Sequence, residues 1–181
     1  LSDLFPNIEV RRGRVGWHEE PQAKTHIWLT PPYIIDALGP FDLDPCAAPE
    51  PRPWDTAKTH WGRGDNSLGR EWTGRVWLNP PYGPPPIIGP WLRRMKEHNH
   101  GTALIFARTE TALFFKTVWP VARAALFLKG RLTFYRPDGT HPGTTRDHGG
   151  AAGAPSVLVA YGEADAIRLR ECGLPGHFVN I

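Results

Sequence analysis

Along this chain, apolar runs of strand length alternate with segments of helical period, and that order constrains the fold more than any other feature. Residues 102–107, 124–128 and 156–161 are continuous apolar runs too short for buried helices of ordinary length, which makes them candidate interior strands. Residues 41–44 and 75–79 are two shorter candidates, stopped by Pro45 and Pro80. Between these runs the period changes. Apolar residues at 87, 88, 91, 92 and 95 fall on one helical face, with Arg93, Arg94, Lys96 and Glu97 on the other. Residues 111–123 and 163–171 read as two more helices. Pro31 and Pro32 suit a helix start, Ile34, Ile35 and Leu38 share a face, and Gly39-Pro40 ends the run. Strands separated by helices predict an α/β fold: a mostly parallel sheet with helices on both faces.

An open sheet of this kind binds ligands beyond the carboxyl ends of its strands, where loops and helix N-termini gather. Asp44 and Asn79 each close a predicted strand, so the fold alone directs two separated polar motifs to one crevice. A length of 181 residues suits one domain, placed over 27–181. Residues 1–26 lack an apolar period, carry Arg11, Arg12 and Arg14, and read as a flexible arm. The 20 prolines and 19 glycines gather in connections such as 81–90 and 137–155 without a period, which fits a loop-rich enzyme and excludes a repeat protein. A formal charge of +3 is compatible with a polyanionic partner but too small to require one. Cys46 and Cys172 match neither a disulfide framework nor a metal spacing. Neither a signal-peptide pattern nor an apolar run of about 20 residues is present, so the expectation is a cytoplasmic, intracellular protein with no membrane anchor.

The stretch richest in chemistry is Asn79-Pro80-Pro81-Tyr82. It ends an apolar strand with an amide, two residues of fixed φ that expose a carbonyl, and an aromatic ring. The exocyclic amine of a base is a poor nucleophile, because its lone pair is delocalised into the ring. Its protons need acceptors as the nitrogen becomes tetrahedral. The Asn79 oxygen and the Pro80 carbonyl can accept them in a preset geometry, and Tyr82 can stack on the base. Taken alone, the tetrapeptide is also a strand-ending turn followed by a core tyrosine.

These residues resemble the amino-methyltransferases that carry an (Asn/Asp/Ser)-Pro-Pro-(Tyr/Phe) motif, and more narrowly the small phage-type DNA N6-adenine methyltransferase (Dam) family. The narrower resemblance rests on five blocks in order: Trp28-Leu29-Thr30-Pro31-Pro32, Phe41 to Ala47, Asp65-Asn66-Ser67-Leu68 with Trp72, Asn79 to Gly83, and Lys129 to Phe134. It implies a Rossmann-like class I methyltransferase fold and S-adenosyl-L-methionine as methyl donor. The acceptor it implies is the N6 amine of adenine in DNA, in a double-stranded substrate whose target base is flipped out of the stack. It also implies a phage or prophage protein acting in a host cell.

Carried over residue by residue, the resemblance makes Asn79, Pro80, Pro81 and Tyr82 catalytic. It assigns Thr30, Asp44, Pro45, Cys46, Ala47, Asp65 and Ser67 to the donor. Within that set Asp44 meets the donor's ammonium, Asp65 its adenine amine, and Thr30 its amino-acid end, although Thr30 serves equally as a helix N-cap. Asp55 is a rival acid for the donor ribose, or a solvated loop aspartate. The loop after Asp44 runs Pro45-Cys46-Ala47-Ala48-Pro49 where donor loops commonly carry glycines. Thr109 and Glu110 follow a predicted strand and either line the crevice or begin a helix.

Lys129, Arg131, Arg136 and Arg146 are the candidates for DNA contact, since such side chains position phosphates and read base edges. His98-Asn99-His100 sits at the end of a predicted helix without a second cluster of suitably spaced ligands, so no metal is expected. The chemistry is direct displacement, with no covalent nucleophile. The same tetrapeptide also serves cytosine N4, an RNA base or a protein glutamine, and a noncatalytic DNA-binding module on the same fold is a further alternative. A chain this short leaves little room for a recognition domain, so the expectation is a short target site or relaxed specificity; oligomeric state is open.

Overall fold

The structure, a computed structural model, describes residues 27–141 and 152–181. The expected arm at 1–26 and Arg146 lie outside the described residues. Helix α1 (Pro32–Leu38) leads into β1 (Leu43–Asp44) and β2 (Thr59–His60), then β3 (Val76–Leu78) and α2 (Pro85–His98). The chain continues through β4 (Gly101–Phe106), α3 (Ala112–Thr117), β5 (Ala124–Leu128), β6 (Ser156–Tyr161), α4 (Glu163–Glu171) and β7 (Gly176–Asn180).

The strands form one sheet in the order β2-β1-β3-β4-β6-β5-β7. Pairings among β2, β1, β3 and β4 are parallel, whereas β6 opposes both β4 and β5, and β7 opposes β5. It follows that β1 to β5 all point one way while β6 and β7 run against them. The sheet is mixed, with a parallel direction in the majority, and it is consistent with a Rossmann-like methyltransferase fold.

Alternation along the strands divides the core in two. On one face Ile34, Ile35 and Leu38 of α1 and Ala166 and Leu169 of α4 pack against Trp77, Leu104, Leu126 and Leu158. On the other, Leu92 and Met95 of α2 and Phe114 of α3 cover Val76, Leu78, Ala103, Ile105 and Val157. Helices thus cover both faces, as the run lengths predict. Gly101 fixes the β3–β4 contact: at φ 134° a Cβ there would fall 2.1 Å from the Val76 carbonyl oxygen, so only glycine permits this approach.

One helix ends earlier than the sequence reading has it, and two strands are absent from that reading. Helix α3 stops at Thr117 instead of residue 123, because Pro120 lacks an N–H and disfavours helical geometry at Trp119; Val121 and Ala122 turn back onto the Val118 carbonyl. Strand β2 has two residues, neither of them apolar, and leaves no period to detect. Strand β7 is an exposed edge whose sequence, Gly-His-Phe-Val-Asn, lacks a continuous apolar run.

The amino edge of the sheet is closed by Arg75. Its Nε donates to Asp165 Oδ1 at 2.6 Å, and its Nη1 donates to the carbonyls of Leu38 (2.6 Å) and Pro40 (3.0 Å). One guanidinium therefore joins the start of β3, the end of α1 and the first turn of α4.

Candidate active site

Parallel pairing of β1 with β3, in the register Leu43 to Val76, sends Asp44 and the Asn79 that follows β3 out of the same edge. A third wall comes from Leu29, which exchanges backbone hydrogen bonds with Tyr135 (2.9 and 3.0 Å) and so carries Trp28 and Thr30 over that edge. The loop 52–56 supplies the fourth. Asp44 and Cys46, Thr30 and Trp28, Arg52 and Trp54, and Trp77 with Asn79 line the cleft between these walls.

Asp44 is 3% exposed. It accepts hydrogen bonds from the Cys46 N–H (2.9 Å) and the Thr56 hydroxyl, and among the described residues it belongs to no ion pair. Desolvation pushes its carboxyl up to about 6, opposed by those two hydrogen bonds and by the charge of Arg52. The Cys46 bond answers the missing glycines: the carboxylate folds its own loop back with an Asx-type turn and needs no φ above zero there. Burial and the adjacent Asp44 push the Cys46 thiol up, which fits a packing contact and not a nucleophile. At the end of β2, His60 Nε2 accepts the N–H groups of Thr56 (3.2 Å) and Ala57 (3.3 Å) and holds Thr56 against Asp44. Burial, the largest cause, lowers the His60 pKa, in keeping with an accepting, neutral ring.

Asn79 Nδ2 donates to Thr30 Oγ1 at 3.2 Å. This bond fixes the amide so that Oδ1 is its free acceptor, and Oδ1 is buried with no hydrogen-bond partner. Thr30 is 3% exposed, and its carbonyl accepts from Trp54 Nε1 at 3.2 Å. The N-cap position of α1 falls on Pro31 with no side-chain bond, so the alternative use of Thr30 as a cap is not taken. Two further buried atoms of the cleft-lining residues lack partners, Trp77 Nε1 and Arg52 Nε. Unsatisfied buried polar atoms are uncommon in proteins, and three of those among the described residues belong to side chains that line this cleft.

Pro80 is buried and Pro81 exposed. The half-buried Tyr82 lies beyond the cleft, with its ring centroid 4.3 Å from Phe106 at 31° and 6.1 Å from Phe134. Its hydroxyl donates to the Leu104 carbonyl at 3.2 Å, and burial raises the phenol above its ordinary range.

The cleft thus unites Thr30, Asp44, Cys46 and Asn79 from among the residues predicted by sequence. Pro45 and Ala47 belong to the same loop, where the Ala47 N–H donates to the Trp61 carbonyl at 3.0 Å. Asp65 and Ser67 are not brought into it. Asp65 is exposed, accepts from the Gly62 N–H (2.7 Å) and lies 3.5 Å from Arg70, while the Ser67 carbonyl accepts from Trp72 Nε1 at 2.8 Å. Asp55 is 77% exposed and faces Arg52 (3.8 Å) and His60 (3.7 Å), as a loop aspartate does. Thr111, not Thr109 or Glu110, caps α3. His98 meets the Gly74 carbonyl at 2.8 Å, which gives it a structural contact at the end of α2.

Lys129 and Arg131 are exposed on the segment leaving the carboxyl end of β5, and Arg136 holds a turn through its N–H to the Thr140 carbonyl (3.0 Å). That segment reaches the cleft through Tyr135, whose ring lies 5.2 Å from Trp54. Sequence reasoning missed Arg52, Trp54, Thr56 and Trp77 as site residues. The first three lie in a proline-flanked loop without period, and Trp77 reads simply as a core residue of a strand.

A seven-stranded sheet with both faces covered, an antiparallel strand set between parallel neighbours and polar strand ends converging on one edge is consistent with the Rossmann-like methyltransferase class. Within it, the chain is a member of the DNA N-6-adenine-methyltransferase (Dam) family, whose model matches residues 18–167. It is 28% identical over 131 residues to a protein of Escherichia phage T1 named DNA N-6-adenine-methyltransferase, covering 69% of this chain and 54% of that relative. The chain therefore spans about half the length of the curated relative it matches. No solved structure gives a significant match.

Proposed function

We propose that the chain methylates the N6 amine of adenine in DNA by direct displacement, with S-adenosyl-L-methionine as donor. The observation that carries this reading is the buried, unpartnered Oδ1 of Asn79, held as an acceptor by Thr30 in the cleft that also contains Asp44. Family membership and the name of the phage T1 relative support the substrate.

The cleft fits the donor on chemical grounds, since an isolated buried carboxylate suits an ammonium and the unpartnered donors of Trp77 and Arg52 suit acceptors. When bound, the donor supplies an electrophilic methyl on a sulfonium. Asp44 holds the ammonium, while Asn79 Oδ1 and the Pro80 carbonyl accept hydrogen bonds from the target amine and raise the electron density on its nitrogen. As the N–C bond forms the S–CH3 bond breaks, S-adenosyl-L-homocysteine leaves and the methylated amine gives up a proton to solvent. The Tyr82 ring, backed by Phe106, offers a stacking surface for a base flipped from the duplex. Lys129, Arg131 and Arg136, on the segment that leaves the same edge, are the candidates for phosphate contact, and Arg146, outside the described residues, is a further candidate from the sequence. Most of the rate enhancement is positioning of nitrogen against methyl, so no metal is invoked.

The test is to incubate the purified chain with unmethylated DNA and labelled donor, digest to nucleosides and analyse by mass spectrometry. N6-methyladenine is expected, and Asn79→Ala should still bind donor while turnover at saturating donor falls by about 10²–10³-fold. N4-methylcytosine, or methyl label in RNA or protein only, moves the assignment to that acceptor. Donor binding with no methylated product from any of them indicates a noncatalytic DNA-binding module.

A further inference from the structure

We propose that Arg52 and Trp77 form a carboxylate site opposite Asp44, so that the cleft recognises the zwitterion of an α-amino acid, the amino-acid end of the methyl donor. The inference rests on the donor reading above and adds two residues and a chemical selectivity to it.

Asp44 and Arg52 are the only charged side chains lining the cleft among the described residues. One anion and one cation in a single crevice match a ligand with both charges. They disfavour a phosphate, whose charge a buried aspartate would repel. The guanidinium is already held in place. Its Nη1 donates to the Ala48 carbonyl at 3.0 Å, its Nη2 pairs with Glu50, and the Arg52 N–H donates to Glu50 Oε2 at 2.9 Å. Glu50 and Asp55 are mostly exposed and approach from the solvent side, and Asp55 Oδ1 lies 3.8 Å from Nε, beyond hydrogen-bond range. Arg52 Nε therefore remains a buried donor without a partner.

Trp77 supplies the second donor. It is fully buried, its ring is set by Phe41 at 5.3 Å and 49°, and Nε1 has no hydrogen-bond partner although the residue lines the cleft. An indole buried for packing alone leaves its N–H unsatisfied at a cost that phenylalanine would avoid. Two oriented N–H donors, one of them charged, suit the two oxygens of a carboxylate, and Asp44 takes the neighbouring ammonium.

Calorimetry of the full chain separates the parts of this idea by ligand. S-adenosyl-L-homocysteine carries the zwitterion, whereas 5′-methylthioadenosine keeps the nucleoside and thioether but lacks it. Arg52→Gln and Trp77→Phe should each weaken S-adenosyl-L-homocysteine by roughly ten- to a hundredfold, the range for losing a hydrogen bond to a charged group, and change 5′-methylthioadenosine by less than about twofold. Arg52→Lys should recover part of the loss. Equal weakening of both ligands, or of neither, overturns the proposal. A wild-type chain that binds neither ligand overturns the donor reading itself. Trp77→Phe removes the N–H without touching the Arg52 contacts, so a misfolded arginine variant leaves the question answerable.

Discussion

The two edges of the sheet each bury an aspartate and set an arginine near it, and they use them differently. At the amino edge, Asp165 is 0% exposed and meets Arg75 directly at 2.6 Å, with two backbone carbonyls filling more of the guanidinium. At the carboxyl edge, Asp44 is 3% exposed yet has only a hydroxyl and an amide for partners, while Arg52 turns to Ala48 and Glu50. Each edge also keeps unpartnered atoms, Arg75 Nη2 and Asp165 Oδ2 at one, Arg52 Nε, Trp77 Nε1 and Asn79 Oδ1 at the other. The difference lies in the charges. At the first edge the two charges neutralise each other within the fold; at the second Arg52 pairs with Glu50 in its own loop, and among the described residues the Asp44 carboxylate is left without a cation paired to it.

The sharpest way to break this comparison is to remove one partner from the structural pair. Asp165→Ala leaves the Arg75 guanidinium buried without its carboxylate and should destabilise the protein by about 3–5 kcal/mol. Urea unfolding followed by tryptophan fluorescence reads the loss as a lower midpoint at unchanged slope. Donor affinity of the folded variant should equal that of the wild type. Replacing both residues with apolar ones of similar volume should recover most of the stability, because no charge is then stranded. A single substitution that cost under about 1 kcal/mol would mean that Arg75 and Asp165 are no closure at all.

Asp44→Asn should act in the opposite direction. The folded-state pKa of Asp44, about 6, lies above the unfolded value for an aspartate. The folded protein therefore binds the proton more tightly than the unfolded chain, and stability falls as pH rises from about 4 through 6. Above that range the buried charge costs up to about 3 kcal/mol, taking roughly two pKa units at about 1.4 kcal/mol each. Asp44→Asn should gain up to that amount at pH 8 and nothing at pH 4, measured by urea unfolding at both. Donor affinity shows the counterpart. In the wild type it should fall up to tenfold per unit below about pH 6, as the carboxylate that meets the ammonium is protonated, whereas the variant should bind weakly and independently of pH. A variant less stable than wild type at pH 8 would place Asp44 with Asp165, as a structural charge.

Legibility in the sequence followed the same division between closed and open chemistry. Residues 124–128, 156–161 and 163–171 coincide with β5, β6 and α4, because apolar periodicity reports burial against a neighbour: the two strands are largely buried, and α4 buries one face through Ala166 and Leu169. Asp44 and Asn79 were legible as a pair because each ends an apolar run before a proline, and parallel strands deliver such ends to one edge. Arg52, Thr56 and Trp77 were not. Their roles come from the tertiary return of the 52–56 loop over β1 and from an unsatisfied indole N–H, and neither leaves a mark on periodicity or composition. Asp65, which a motif block associates with the donor, lies outside the cleft lining, where its carboxylate accepts from the Gly62 N–H and faces Arg70.

Tyr82 stands between the two regimes, since the hydroxyl is closed on the Leu104 carbonyl while the ring belongs to the motif that carries the chemistry. The smallest predicted effect follows from that split. Tyr82→Phe keeps the ring and its 4.3 Å contact with Phe106 and loses one neutral hydrogen bond, for a cost of about 1 kcal/mol in unfolding free energy. If the residue acts by stacking, methylation by Tyr82→Phe should stay within about fivefold of wild type, whereas Tyr82→Ala should lose about 1–3 kcal/mol of base stacking, or roughly ten- to a hundredfold in kcat/KM. Steady-state methylation of a duplex oligonucleotide by the two variants decides between ring and hydroxyl. Losses of equal size would give the hydroxyl a part in the reaction, and the Leu104 contact would then have to break when DNA binds.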